Sequence, residues 1–214
     1  MDHKVVIFVG ILTKYQGIDL LLKAVPMVVR QVPAVKFLII GYPNEQRYRE
    51  EAEALGVQKS VHFTGRISYE DVPRYLSLAD VAVSPKISES EANLKLFAYM
   101  AMGLPTVVFD SPINREILGD AGVYAKSGDI GSLARALMAL LKDDTWARQM
   151  GERARQKATT DYSWVRVGRR LGDIYDSVAI HSRSISKEQV DEQFQSTGNG
   201  RGRIYRLPFN KRTG

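Results

Sequence analysis

Four cations stand where a folded chain can turn them on an anion: Lys14, Arg66, Lys86 and Lys95. Lys14 lies between Gly10 and Gly17, Arg66 follows Phe63-Thr64-Gly65, Lys86 follows the run Val81-Ala82-Val83-Ser84, and Lys95 opens an apolar segment ending at Ala101. A phosphorylated ligand is held without a metal by two devices, unpaired N–H groups at helix N-termini and nearby ammonium or guanidinium groups. The turn from Gly10 to Gly17 opens one helix and the stretch Ser90 to Leu94 opens another. Gly10 and Gly17 let backbone approach a ligand closely, although either alone reads equally well as turn geometry. Taken singly, each cation reads first as a solvated surface residue; Lys14 and Lys86 rise above that because both fall in loops, whereas Lys95 sits within a helical turn that has a solvent side. His3, His62 and His181 are scattered, with no nucleophile–base or metal-ligand spacing, and the chain has no cysteine, so neither a metal nor a cofactor is expected.

The elements that must position these groups are organised around residues 93–109. Leu94, Phe97, Ala98 and Ala101 recur at helical spacing, Gly103 fits the left-handed position after a helix, and Pro105 forbids continuation. Thr106 to Phe109 then reads as a strand covered on both faces. With Val81–Ser84 upstream, this makes strand, loop, helix, strand, with the loop on the carboxyl edge of the sheet. Doubly wound folds bind their ligands at that edge. Before this unit the pattern predicts strands at 4–10, 37–40 and 61–64. Between them it predicts a helix over 17–32 kinked at Pro26, a helix over 44–55 capped by Asn44, and one from Ser68 to about Ala79 opened by a Ser68/Asp71 box. After it come a short helix to Leu118, a strand at 123–125, a helix capped by Asp129 to Leu141, a polar helix over 143–160 and a last one striped by Trp164, Val167, Leu171, Ile174, Tyr175 and Val178. Strands alternating with helices give an α/β fold, a Rossmann-like doubly wound parallel sheet.

Several of these segments together resemble the donor-binding domain of the group 1 retaining glycosyltransferases, family 4, of GT-B fold. Asn93-Leu94-Lys95-Leu96-Phe97 with Tyr99-Met100-Ala101 and Gly103-Leu104-Pro105 is similar to the family's signature. Phe8-Val9-Gly10 and Tyr15-Gln16-Gly17-Ile18-Asp19 resemble its first strand and turn, Phe63-Thr64-Gly65-Arg66-Ile67 its third strand, and Asn114-Arg115-Glu116 and Tyr162-Ser163-Trp164 its closing segments. The resemblance covers about residues 5–178 and rests on order and spacing.

The resemblance implies a nucleotide-diphosphate sugar as ligand, retention of configuration and no metal. Lys95 matches a lysine that some branches of the family carry; together with Lys14 of the first turn and the amides around Asn93 and Leu94 it is expected to hold the diphosphate, with Gly10 and Gly17 beside them. The resemblance puts the base at Arg66 and Ile67, and the sugar near Ser90, where Glu89 or Glu91 are the candidate catalytic carboxylates. Lys86 joins them as a loop cation. The departures are as informative. Where the family carries an Arg and a Lys around the first turn, this chain has Ile11 and Gln16, and where it carries two glutamates, this chain has Ser90 and Ala98. Loss of a charge-assisted bond to the ribose costs about 1.5–3 kcal/mol of donor binding. Two readings follow: a donor domain working with a separate or missing acceptor domain, and a degenerate, non-catalytic domain of the same fold acting in protein interaction.

The 214 residues, 44% hydrophobic and 25% charged, suffice for a single sizeable core. The expected division is a nucleotide-sugar-binding domain over 1–178 and a basic polar tail over 179–214, too poor in apolar surface to order itself. That tail holds seven Lys or Arg against three Asp or Glu, leaving the folded part near neutral, which argues against a nucleic-acid face. Contact of the tail with an anionic membrane and a homodimer through the exposed cleft face both stay open. A cysteine-free chain without a signal peptide or a spanning segment suits the cytoplasm.

Overall fold

The computed structural model describes residues 3–88 and 91–179, so Glu89, Ser90 and the expected tail beyond residue 179 lie outside the described residues. Six strands form one all-parallel sheet: β1 (Lys4–Val9), β2 (Val35–Ile40), β3 (Val61–Gly65), β4 (Val81–Ser84), β5 (Thr106–Phe109) and β6 (Gly122–Ala125), in the order β3-β2-β1-β4-β5-β6. Seven α-helices connect and follow them: α1 (Ile18–Gln31), α2 (Glu45–Ala54), α3 (Val72–Leu76), α4 (Lys95–Ala101), α5 (Pro112–Leu118), α6 (Ile130–Lys142) and α7 (Asp144–Asp161). The strand order reverses between β1 and β4, the place where doubly wound sheets open a crevice. Chain contacts separate Met1–Ser163 from a second unit beginning at Trp164; in that unit residues 164–179 are helical, with Val167, Leu171, Ile174, Tyr175 and Val178 recurring at helical spacing.

Successive strand residues serve opposite faces. Val6 and Phe8 pack with Leu21, Val25, Leu133 and Leu137 of α1 and α6 in one buried cluster. Ile7, Ala82 and Val108 pack with Leu96, Tyr99 and Met100 of α4 and with Ile117, Leu118 and Ala154 in the other. Both faces being covered, the strands read as apolar runs without alternation. Gly103 ends α4 with φ 70°, as its position predicts.

Two local expectations are corrected. The helix after Ser68 is short: a 3-10 turn at Tyr69–Asp71 precedes α3, and Ser68 Oγ donates to the Asp71 carboxylate at 2.8 Å instead of capping a backbone amide. Asn44 stands at the N-cap of α2 but in a left-handed conformation without a capping bond; its side-chain Nδ2 donates to Leu12 O at 3.0 Å, tying this loop to the first turn. Helix α1 continues through Pro26 to Gln31. Asp129, by contrast, caps α6 as expected, accepting from Ser132 N at 2.8 Å.

Candidate functional site

Strand β1 pairs with β2 at all six of its residues but with β4 only at Val6 and Ile7. Beyond Ile7 the two strands part, and the Val9 amide is left facing the gap. It donates to the Tyr99 hydroxyl at 2.8 Å, a side chain sent across from α4. Complete burial, which disfavours phenolate, pushes the Tyr99 hydroxyl far above the usual tyrosine range, so it stays neutral. The crevice at the switch of strand order is therefore held open on one side by a hydrogen bond that no strand supplies.

Two turns meet at its mouth. The first runs from Gly10 through the 3-10 turn Lys14–Gln16 to Gly17, and the second follows β4. Ile87 N donates to Tyr15 O at 3.0 Å, and Gly17, at φ 75°, passes so close to the second turn that a Cβ would lie 1.9 Å from Pro85 O. Only glycine fits there, for backbone conformation and for space. The second turn is pinned from behind by a buried polar network: Asn93 Nδ2 donates to Ser84 Oγ and to Asn114 Oδ1, each at 3.0 Å, and Asn114 Nδ2 donates to Phe109 O at 2.8 Å. Asn93 and Asn114 are each 3% exposed, so every one of these amides needs its partner.

The candidate cations take three different positions. Lys14 and Arg66 are exposed on the rim. The Arg66 guanidinium lies 4.9 Å over the Tyr42 ring, so the ends of β2 and β3 share a stacked pair, with Ile67 partly buried beside it. Lys86 is turned inward: its side chain is 4% exposed, and Nζ donates to Glu91 O at 2.9 Å and lies 3.6 Å from the Glu91 carboxylate. It fastens its own loop. Lys95 does not face solvent, as its helical position allows, but reaches over Gly10. Its Nζ donates to Gln16 Oε1 at 2.5 Å and lies 4.9 Å from the centre of the Phe8 ring, and a Cβ on Gly10 would sit 3.0 Å from its Cε.

Among the described residues, no carboxylate forms an ion pair with Lys95. Burial brings its ammonium down from the ordinary lysine range to about 7, and the charge of Lys86 pushes the same way. Two ammonium groups thus share a crevice mouth where, among the described residues, Glu91 is the one nearby carboxylate and already serves Lys86. The backbone amides of Asn93, Leu94 and Lys95 donate to no backbone carbonyl among the described residues, and Leu94 is exposed at the rim. What the arrangement offers is an anion site: among the described residues, a cation without a counter-ion and amides with no backbone acceptor, between glycine-thin walls. The hollow of about 500 Å³ lined by Asp71, Arg74, Tyr75, Ser77 and Leu78 lies beside α3, apart from these residues.

The chain matches the family described as "Glycosyl transferases group 1" over residues 1–157, most of its length. It belongs to the group 1 glycosyltransferases. Similar proteins include a phosphatidyl-myo-inositol mannosyltransferase of Mycobacterium leprae, 32% identical over 193 residues that cover 87% of this chain and 49% of the relative. A D-inositol 3-phosphate glycosyltransferase of Corynebacterium glutamicum is 30% identical, covering 89% of this chain and 46% of that one. Among solved structures, the sucrose-phosphate synthase of Thermosynechococcus elongatus superposes with TM-score 0.73 at 25% identity, over 84% of this chain and 46% of that one. Anabaena HepE, solved in complex with UDP and glucose, superposes with TM-score 0.72 over 82% of this chain and 48% of its own; at 18% identity that likeness speaks for the fold. The chain spans about half the length of the relatives it matches. No helix among the described residues is long and apolar enough to cross a membrane.

Sequence reasoning brought Gly10, Gly17, Asn93, Leu94 and Lys95 to one rim, where the structure also places them. It missed three contributors. Gln16 was visible only as a neutral residue where a cation was expected, which is itself a signal for a substitute cation elsewhere. Asn114 carried the signal of a polar residue in the family's closing segment. Tyr99 carried none, because a tyrosine on an apolar helix face looks the same whether or not its hydroxyl meets a strand end.

Proposed function

We propose that this chain is the donor-binding half of a group 1 glycosyltransferase, holding a nucleotide-diphosphate sugar for glycosyl transfer to an acceptor bound by a separate domain. The observation that carries the reading is Lys95, a part-buried cation with no acidic partner among the described residues, where the sheet opens between β1 and β4. Lys14, Lys95 and the amides of Asn93 and Leu94 hold the diphosphate, Gly10 and Gly17 let it approach, and Arg66 and Ile67 border the base. The sugar is assigned to Glu91 or Glu89, with Ser90 between them in sequence; Glu89 and Ser90 are outside the described residues. Residues 1–178 make up this domain and 179–214 a basic appendage. Transfer proceeds with retention and without a metal, as the family resemblance implies. Support for the ligand class comes from HepE, whose structure was solved in complex with UDP and glucose, and from a similar Corynebacterium glutamicum enzyme named as GDP-mannose-dependent.

Titration calorimetry with UDP- and GDP-sugars tests the reading, with binding in the millimolar range or tighter expected. No heat with any of them overturns it. Ala98, at the aligned position of the ribose-holding glutamate, favours the second reading, a non-catalytic interaction domain. An Ala98→Glu variant separates the two: nucleotide affinity rises by roughly tenfold to a hundredfold in a donor domain and stays unchanged in the other.

A further inference from the structure

We infer that Gln16 is a positioning residue for Lys95, holding its amine over Gly10 so that a side chain from α4 supplies diphosphate-facing charge that Ile11 and Gln16 themselves do not. The inference rests on the donor-binding reading. Gln16 and Lys95 are 79 positions apart, and the bond between them joins the two turns at the crevice mouth. Gln16 is 8% exposed, so its carboxamide is a fixed partner rather than a passing one. Its neutrality is what makes the arrangement work. A carboxamide oxygen satisfies one of the three ammonium protons without cancelling the charge, and leaves two donors for an incoming oxyanion. A carboxylate at position 16 would hold the ammonium permanently and compete with the ligand. A lysine there would repel it.

Among the described residues, the groups facing the Lys95 amine are few. From the first turn there is Gln16; from β1 there are the Phe8 ring and the open surface of Gly10. From the loop after β4 there is Lys86, whose own charge is answered by the Glu91 carbonyl and carboxylate. On α4 itself, Tyr99 is one turn along with its hydroxyl engaged by Val9 N. Nothing in this set stabilises the charged amine except Gln16 and the Phe8 ring, and burial brings its pKa to about 7. A bound diphosphate reverses that balance. Its arrival draws a proton onto Lys95, so binding and protonation are linked.

The test is calorimetric titration of inorganic pyrophosphate, UDP and GDP into the wild-type chain and into Gln16→Ala, Gln16→Glu and Lys95→Met variants, each first shown to melt cooperatively. Titrations run between pH 6 and 9 in two buffers of different ionisation enthalpy. The wild type is expected to bind with net proton uptake at pH 8 and to lose up to tenfold in affinity per pH unit above about 7. Lys95→Met loses that slope and, at pH 6.5, roughly tenfold to a hundredfold in affinity. Gln16→Ala weakens binding several-fold and lowers the pH midpoint. Gln16→Glu raises the midpoint, because its carboxylate keeps the amine charged, yet binds more weakly at pH 6.5. A merely structural Gln16 would leave the midpoint where it is. Wild-type affinity and midpoint in both Gln16 variants, or an unaffected Lys95→Met, overturns the inference. Pyrophosphate binding that depends on both residues, with UDP and GDP no tighter than pyrophosphate, sustains it while removing the nucleotide-donor reading. No binding of any of the three ligands removes both.

Discussion

The seam between β1 and β4 has two ends, and they are built on opposite principles. At the amino end the charges are matched: Lys4 Nζ lies 2.8 Å from the Asp144 carboxylate and 3.5 Å from that of Asp80, while Asp80 also accepts from Val5 N at 2.7 Å. The strand end is closed by its own acid, and backbone donor and cation alike are satisfied. At the carboxyl end, among the described residues, Val9 N finds the Tyr99 hydroxyl, Lys95 finds a neutral amide and the Phe8 ring, and Lys86 adds like charge. One end is finished by the fold. The other is incomplete in the way an anion would complete it.

Breaking the open end at its tightest point should have the largest effect. Gly17→Ala places a methyl against Pro85 O in a left-handed backbone conformation, and unfolding in denaturant should show a loss of about 3–5 kcal/mol. If the loss is a few tenths instead, the two turns do not meet as described.

Next comes the pH response of Lys95. Its folded pKa of about 7 lies below the ordinary 10.5, so between these values the unfolded chain binds a proton that the folded chain releases. Stability from this group therefore rises with pH across that window, and below pH 7 the full penalty of burying the charge is present. Lys95→Met removes the penalty. Without ligand it should exceed the wild type by roughly 2–4 kcal/mol at pH 6 and lose that advantage toward pH 10. Parallel stability curves would show that the amine is not buried.

Tyr99→Phe leaves the half-buried Val9 amide without its hydroxyl partner and should cost about 0.5–1.5 kcal/mol in chemical denaturation. The smallest effect belongs to the closed end. Lys4 and Asp144 form a surface pair whose bond lowers the Asp144 pKa and raises that of Lys4, and Asp144→Ala should shift the melting temperature only slightly, with the shift vanishing in high salt. A large, salt-resistant shift would reverse the contrast between the ends.

The fold was legible because its signals are local. Gly103 followed by Pro105 ends a helix wherever the chain goes, and a four-residue apolar run such as Val81–Ser84 reads as a strand buried on both faces before any partner is known. The errors were local too. Ser68 and Asp71 have the right spacing for a capping box, but they bond to each other through their side chains, and Asn44 spends its amide on Leu12 O. In both cases a polar side chain had a second partner that spacing along the chain does not reveal.

The candidate site was legible as a set but not as an arrangement. Which lysine faces an anion depends on the rotation of α4 about its axis and on the path of the loop before it. Both are decided by packing: Leu96, Tyr99 and Met100 are buried against the sheet, and Asn93 is anchored to Ser84 and Asn114. That packing turns Lys95 toward Gly10 and leaves Lys86 folded back on Glu91. The sequence by itself determined the alternation of strands and helices, their punctuation by glycine and proline, and membership of a family, since each depends on neighbours within a few residues. Only the tertiary structure decided that Gln16 and Lys95, 79 positions apart, share one bond, and that a charge from a helix beyond the fourth strand stands over a neutral position 16. The direction of a long side chain is set by everything packed around its base, and no stretch of neighbouring residues contains that information.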